Sequence, residues 1–407
     1  MARSETVASG PGSRALIVDI IRSAGPVSRV ELVQATGLTQ PTISNIVRQL
    51  LASGVIRESG RTPSTGGKPR TLLEINPTAL YAVGVQLGFE AMTFVAAGVG
   101  GGTVARQLVD GAALDDPQQV VERLAMQFRV FVDTAGIPID SIAGVAVVVP
   151  GPLSPPLGTM FRSPTLRQWE GFPLAATLGE LLPVPVVLDN DAAAAAIGEF
   201  WTRRVPRTDT FATVYMGTGI GAGVVIDGAL YRGASSNAAE LGHLSIDAEG
   251  VACSCGNTGC VERYAAPAAV LAEAAATRCD FLGLDLEFTA ESTGQDFDRL
   301  ARAAVGGHEA ADELLGRSAD RLAAAVVSFS NAFDLDSVVL AGPSFAIAGS
   351  LYAKAVRTRM ERASFARRAH GVRIEIASNP RDSAAIGAAA LVLQSSVAPG
   401  HGPVLSA

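Results

Sequence analysis

The chain has 407 residues, 39 acidic against 32 basic side chains and a formal net charge of −7, enough length for two or three domains that each bury a core. Hydrophobic residues make up 48% of it, but alanine supplies much of that, and glycine, proline or charge cuts every apolar run before it reaches spanning length. The opening MARSETVASGPGSR lacks an apolar signal core, and four cysteines are too few for a disulfide framework, so a protein of the reducing cytoplasm with no membrane association is expected. Charge is uneven: residues 1–75 hold nine Lys/Arg against five Asp/Glu, a balance of +4, and the remainder carries −11. An acidic body repels nucleic acid, whereas a basic module attracts it.

Within the basic segment, Ser13 to Ala24 places Leu16, Ile17, Ile20 and Ile21 on one face of an amphipathic helix that Gly25 and Pro26 end. Ser28 is positioned to cap a second helix, with Glu31 three residues on completing a capping box, and Gly37 stops it. Thr39 caps a third helix starting near Gln40 and Pro41. Its buried face is Ile43, Ile46, Val47 and Leu50, and its outer side shows Gln40, Thr42, Ser44, Asn45 and Arg48. A strand begins at Gly54-Val55-Ile56, and Thr71 to Ile75 returns antiparallel to it across the loop SGRTPSTGGKPR, which carries Arg61, Lys68 and Arg70. Two helices, a glycine-containing turn, a third helix and a cationic wing make a winged helix-turn-helix over residues 1–75. In it the third helix reads base edges and the wing meets phosphates or a minor groove. A three-helix protein-interaction module is the plainer alternative.

From about Tyr81 short apolar strands alternate with helical stretches, the pattern of an α/β body. Strands are expected at YAVGVQLG, MTFVAAGV, Ile142 to Val149, Val184 to Leu188, Thr210 to Met216, Gly221 to Ile226 and Ser337 to Leu340. Helices are expected at Pro117 to Ala135, from the Asp189-Asn190-Asp191 strand end through Glu199, and from about Ala310 to Phe333. Polar loops at the strand ends place a cleft between two lobes, divided as 76–195 and 196–407, with the final helix returning to the first.

The stretch ELGHLSIDAEGVACSCGNTGCVE puts His243, Cys253, Cys255 and Cys260 within eighteen residues, the ligand count and type of a closed tetrahedral zinc site. The metal is expected to be structural, and Glu240 and Glu262 at the edges of the loop are either pocket groups or solvated. Cys279 is left over and reads as a small buried residue. Asp191 either accepts a sugar hydroxyl's proton, caps the helix that follows, or does both. The Gly217-Thr-Gly-Ile-Gly221 turn is either a phosphate cradle or an ordinary hairpin turn.

Together VVVPGP, LDNDAAAAAIGE, GTGIGAGVVIDGALYRGA, AAELGH and CSCGNTGCVE resemble the ROK family of sugar-responsive repressors, open reading frames and sugar kinases, and the likeness covers the chain from about Ser13. The resemblance implies an actin-like, hexokinase-like pair of α/β lobes behind the winged helix, with zinc on His243, Cys253, Cys255 and Cys260. It places sugar contacts at Asn190, Asp191, Glu240, His243 and Glu262, with Asp191 at the kinase general-base position and His243 serving zinc and sugar through different ring nitrogens. Thr165 stands where the family has a sugar-contacting asparagine.

Family kinases end their first body strand on an Asp-x-Gly-Gly-Thr phosphate loop, and here the stretch is Gln86-Leu87-Gly88-Phe89-Glu90. Phe89 blocks backbone approach to a phosphate, and Glu90 adds negative charge where ATP carries its own. The expectation is therefore a non-enzymatic regulator of carbohydrate metabolism, a repressor of a double-stranded DNA operator whose body binds a sugar or sugar derivative and which works as a homodimer or homotetramer. The rivals are an ATP-dependent sugar kinase with a fused DNA-binding domain and a constitutive DNA-binding protein with a vestigial pocket.

Overall fold

The structure, a computed structural model, describes residues 11–61, 69–113, 115–154, 157–161 and 166–397. It opens with a small unit of α1 (Pro11–Ala24), β1 (Val27–Ser28), α2 (Arg29–Thr36), α3 (Gln40–Ala52), β2 (Ile56–Arg61) and β3 (Thr71–Ile75). Local chemistry sets these boundaries. The Ser28 hydroxyl accepts from Glu31 N and the Glu31 carboxylate accepts from Ser28 N, a full capping box that holds the Glu31 carboxyl below its usual range. Gly37 ends α2 in the left-handed region at φ +68°, and the Thr39 hydroxyl accepts from Thr42 N to start α3. Ile43, Ile46, Val47 and Leu50 are buried, and β1 joins β3 and β2 in a three-stranded sheet of order β1-β3-β2. β2 runs on through Ser59-Gly60-Arg61, residues expected in the loop, because a bulge between Glu58 and Gly60 lets pairing with β3 continue.

The body repeats one motif twice. In the first copy β4 (Tyr81–Leu87), β5 (Ala91–Gly98) and β6 (Thr103–Asp110) form an antiparallel meander. After α4 (Pro117–Thr134), β7 (Ile142–Val149) joins β4 in parallel. The short pair β8 (Leu153–Ser154) and β9 (Thr159–Met160) and helix α5 (Leu174–Leu181) then lead to β10 (Val186–Asn190), parallel to β7. After α6 (Asp191–Thr202) the second copy begins with β11 (Phe211–Met216), β12 (Ile220–Ile226) and β13 (Ala229–Leu230), again antiparallel. Helices α7 (Glu262–Ala265), α8 (Pro267–Ala276), α9 (Thr293–Val305) and α10 (Glu309–Phe333) precede β14 (Ser337–Ala341); α11 (Phe345–Ala363) precedes β15 (Arg373–Ile376), and α12 (Ser383–Val397) closes the described chain. The orders β10-β7-β4-β5-β6 and β13-β12-β11-β14-β15 are the same topology, and the carboxyl ends of the parallel strands of both sheets supply the loops discussed below. Among the described residues no helix is long and apolar enough to cross a membrane.

Small residues explain how the copies meet. Helix α12 lies on β4, β5 and β7 and against α6, and α6 packs on β11 and β12. The run Ala192 to Ala196 on α6 faces glycines on β12: a methyl group on Gly221 would sit 2.7 Å from Ala192 Cβ, and one on Gly223 2.6 Å from Ala196 Cβ. Where α6 crosses α12, a methyl on Gly387 would lie 1.9 Å from the Ala194 carbonyl oxygen, and one on Gly198 would lie 2.7 Å from Gly387 Cα. Small residues are thus required by backbone contact at these crossings. Gly387→Ala is expected to lower the urea unfolding midpoint by an amount worth about 2 kcal/mol; an unchanged midpoint would show that the two helices can part without cost.

Candidate ligand cleft and metal cluster

Asn190 ends β10 and caps α6: its Oδ1 accepts from Ala193 N at 2.9 Å, so the capping role considered for Asp191 falls to its neighbour. Asp191 is the first helical residue, with Oδ1 accepting from Ala192 N at 2.8 Å. Opposite them stand Glu240 and His243, in the loop after β13, and Glu262, the first residue of α7. Gly151, just past β7 and followed by a cis Pro152, is where the two copies converge. A methyl there would sit 3.1 Å from Asn190 Nδ2 and 3.6 Å from Glu240 Oε1. With no side chain at Gly151, an amide donor of one sheet and a carboxylate of the other approach the same stretch of backbone.

Burial raises the Asp191 carboxyl to about 6, with the Glu240 charge adding to the effect and the Ala192 amide opposing it. The Glu240 carboxyl also rises, first through burial and further through Glu262, while His243 pulls it down. Tyr215, buried on β11, is pushed well above the ordinary phenol range by burial and then by Asp191. Its hydroxyl accepts from Gln86 Nε2 at 2.6 Å, a bond that ties the end of β4 to β11. Phe89 packs against the core of the first copy, and Glu90 Oε1 accepts from Gly294 N, in the first turn of α9, at 3.4 Å. Both polar residues of the Gln86–Glu90 stretch therefore bond to the second copy. Over the glycine turn, Glu262 Oε2 accepts from Ile220 N at 2.9 Å and lies 2.4 Å from where a Gly219 methyl would be. A carboxylate thus holds one of the amides that a phosphate would need.

Two further contacts join the copies around this point, and neither follows from a local sequence pattern. Arg232 grips buried Asp189 with two bonds of 2.9 and 2.6 Å, fixing the strand end that presents Asn190 and Asp191. Asn237 pairs with both backbone groups of Leu153, accepting at 3.0 Å and donating at 3.0 Å. The partners are 43 and 84 residues apart in sequence, beyond any local pattern. Thr165 lies outside the described residues.

His243, Cys253, Cys255 and Cys260 do come together: their ligand atoms all lie within 4.8 Å of one another. Cys253 Sγ is 3.6 Å from His243 Nδ1, and Cys255 Sγ is 3.7 Å from Cys260 Sγ. A tetrahedral cation with metal–sulfur bonds of about 2.3 Å requires sulfur–sulfur separations of about 3.8 Å. The four residues therefore fit a metal ion, with Nδ1 turned to the sulfurs and Nε2 left for other contacts. Gly256 and Gly259, at φ +95° and +71°, make the tight turns this needs, and Cys253 N donates to Asn257 O at 2.8 Å. Burial, then the Cys255 and Cys253 thiols, push Cys260 up to about 12, so metal uptake must expel its proton. Cys279 stands apart and is exposed, a correction to the buried role expected of it. It lies on an exposed turn after α8 rather than on the apolar face its chemistry favours.

In the N-terminal unit Gln40, Asn45 and Arg48 are exposed on α3, while Thr42 and Ser44 are half-buried and the Thr42 hydroxyl is engaged with that of Thr39 at 2.9 Å. Arg61 and Arg70 are exposed beside the β2–β3 connection, and Lys68 lies outside the described residues.

Two outcomes follow for the cleft and the cluster. The folded Asp191 carboxyl keeps its proton up to about pH 6, whereas an unfolded one loses it near 4, so its ionisation penalises folding at neutral pH and the penalty fades below pH 4. Asp191→Asn is expected to raise thermal stability at pH 7.5, by roughly 2 kcal/mol, and by little at pH 4; an equal shift at both pH values would overturn the assignment. Cys255→Ser should lower bound metal measured by atomic absorption and lower the melting temperature of the protein, and full metal content would show that the cluster is not the site.

The ROK family profile matches residues 82–395. The xylose repressor of Caldicellulosiruptor bescii is 25% identical over 94% of this chain and 95% of its own. Among solved structures, a ROK family transcriptional regulator described as a homologue of the E. coli MLC protein superposes with a TM-score of 0.74 at 22% identity, covering 95% of this chain and 96% of that one. A ROK hexokinase from Thermus thermophilus superposes with a TM-score of 0.59 at 26% identity, covering 97% of its own chain but 76% of this one. The chain belongs to the ROK family, with the two-lobed fold shared by its regulators and sugar kinases.

Proposed function

We propose that the protein is a sugar-responsive transcriptional repressor that acts in the cytoplasm as a homodimer or homotetramer. The observation that carries this reading is the convergence of Asn190 and Glu240 on Gly151, in a chain whose likeness to a xylose repressor runs through head and body alike. Asn190, Asp191, Glu240, His243 and Glu262, with Thr165, bind the hydroxyls of a sugar or sugar derivative. The acidic set suits a neutral, hydroxyl-rich guest, since a carboxylate accepts from hydroxyls but repels phosphate. Structural Zn2+ on His243, Cys253, Cys255 and Cys260 clamps the loop that presents His243 and Glu262. The N-terminal unit is a winged helix-turn-helix over residues 1–75, followed by lobes at 76–195 and 196–407. Gln40, Thr42, Ser44, Asn45 and Arg48 approach base edges of a double-stranded operator, and Arg61, Lys68 and Arg70 its phosphates.

The kinase reading draws on Asp191, whose carboxyl at about 6 suits a general base. Against it stand Gln86 and Glu90, bonded across the cleft at Tyr215 and Gly294, and the bulk of Phe89 between them.

The test combines operator binding with a coupled ADP-release assay. The full-length protein should retain DNA from upstream of its own gene, release it with one sugar of a panel including D-xylose, D-glucose and N-acetyl-D-glucosamine, and release no ADP above background. Arg48→Ala should weaken operator binding about tenfold, and Lys68→Ala should lower the salt slope by about one. Sugar-dependent ADP release lost in Asp191→Asn, without operator retention, would make the protein a kinase instead.

A further inference from the structure

Helix α6 begins in the cleft and ends under the N-terminal unit. Asn190 caps its start and Asp191 opens its first turn; it runs twelve residues, about 18 Å of axis, and carbonyls of its last turn meet Arg22 of α1. Arg22 Nη1 donates to Trp201 O at 2.8 Å and to Phe200 O at 3.5 Å. The guanidinium lies 4.7 Å from the Trp201 ring centroid and 5.3 Å from that of Phe200. Arg22 is 4% exposed and its ion-pair partner Asp19 2%; Asp19 also accepts from Arg207 Nη1, beyond the end of α6, at 3.0 Å. A desolvated cation stacked on two rings at the negative end of a helix is a strong, directional clamp.

The clamp grips a rigid pair. α6 is locked to α12 at the Gly198–Gly387 crossing, and Arg14 Nε of α1 donates to Val397 O, at the end of α12, at 3.2 Å. On the other side, Ile17 and Ile21 of α1 share one buried cluster with Leu32 of α2 and with Ile43 and Val47 of α3. Rigid contacts thus run from the cleft to the recognition helix.

We propose that α6 is the rod through which occupancy of the cleft is felt at α3, and that Arg22 is the positioning residue that couples the two ends. This rests on reading the cleft as a sugar sensor. A guest that bonds Asn190 and Asp191 together with Glu240 changes the seating of the α6 N-terminus against the second copy, and the clamp turns that change into rotation of α1 and α3. Because paired recognition helices must sit roughly 34–36 Å apart on DNA, a small rotation at each head is enough to release an operator.

The chain has two tryptophans, Trp169 and Trp201, so full-length protein labelled with 5-fluorotryptophan gives two fluorine resonances, assigned with Trp169→Phe. D-Xylose, D-glucose or N-acetyl-D-glucosamine, whichever gives binding heat, should shift the Trp201 resonance. Arg22→Met and Arg22→Lys should bind that sugar within about twofold of the unaltered protein and retain operator without sugar, while the sugar-induced drop in operator affinity shrinks about tenfold. A Trp201 resonance that stays fixed while sugar binds and operator is released overturns the relay, as does a full sugar response in a folded Arg22→Met protein. Absence of heat from any of the three sugars in the unaltered protein overturns the sensor reading itself, and the relay with it.

Discussion

The contact on which the body depends is the crossing of α6 with α12. Helix α12 is seated on β4, β5 and β7, and α6 on β11 and β12, so the crossing is where one copy of the repeated motif is held against the other. Its closeness is backbone on backbone: glycine at 198 and 387 leaves no space for even a methyl. Such an interface resists sliding, since any relative shift opens gaps in a close-packed interior. The crossing therefore makes α6 and α12 one stiff pair, and the residues at the first turn of α6 face the loop that follows β13 from the end of that pair.

The bonds spanning the cleft also favour one kind of guest. Asp189 is buried and bound twice by Arg232, an arrangement that is costly to break because it would strand a charge. Gln86 is committed to Tyr215 and Glu262 to Ile220 N. Polyphosphate brings negative charge, and the Gln86–Glu90 stretch and the glycine turn carry carboxylates or are already bonded. The groups that meet at Gly151 are the Asn190 amide and the Glu240 carboxylate, beside Asp191 with its raised carboxyl. Hydrogen-bond acceptors predominate there, which matches a polyol better than an anion.

Local chemistry was legible in the sequence and distant pairing was not. The capping box at Ser28 and Glu31, the Thr39 cap and the buried face of α3 follow from residues within four positions of one another, and the structure shows each of them. The metal cluster was legible for the same reason, four ligand residues lying within eighteen positions. Either residue of Asn190-Asp191 has the chemistry of a cap; only the course of β10 through Asn190 decides between them. Arg232, Asn237 and Tyr215 meet partners 43, 84 and 129 residues away, and single-chain periodicity carries no signal at such range. Cys279 failed differently: a cysteine's usual burial is a tendency of the residue, and the turn after α8 overrides it.

Buried charge at the joint with the N-terminal unit alters what that unit's composition means. Asp19 and Arg22 are three apart on α1, a spacing that reads from sequence as a surface ion pair, yet both are almost fully buried. Arg14 is directed to Val397, Arg57 to Glu74 and Arg29 toward Glu58. The pairs Arg22–Asp19, Arg29–Glu58 and Arg57–Glu74 already cancel within the balance of +4 over residues 1–75, so the field of this unit is set by its other charged groups, and among these Arg14 is turned to the body. Affinity for DNA at physiological salt scales with the number of phosphates neutralised. Arg48 on α3 and Arg61 and Arg70 beside the β2–β3 connection are the exposed cations that the docking contacts leave facing outward, so fastening the head to the body with Arg14 and Arg22 does not consume the groups that phosphate contacts require.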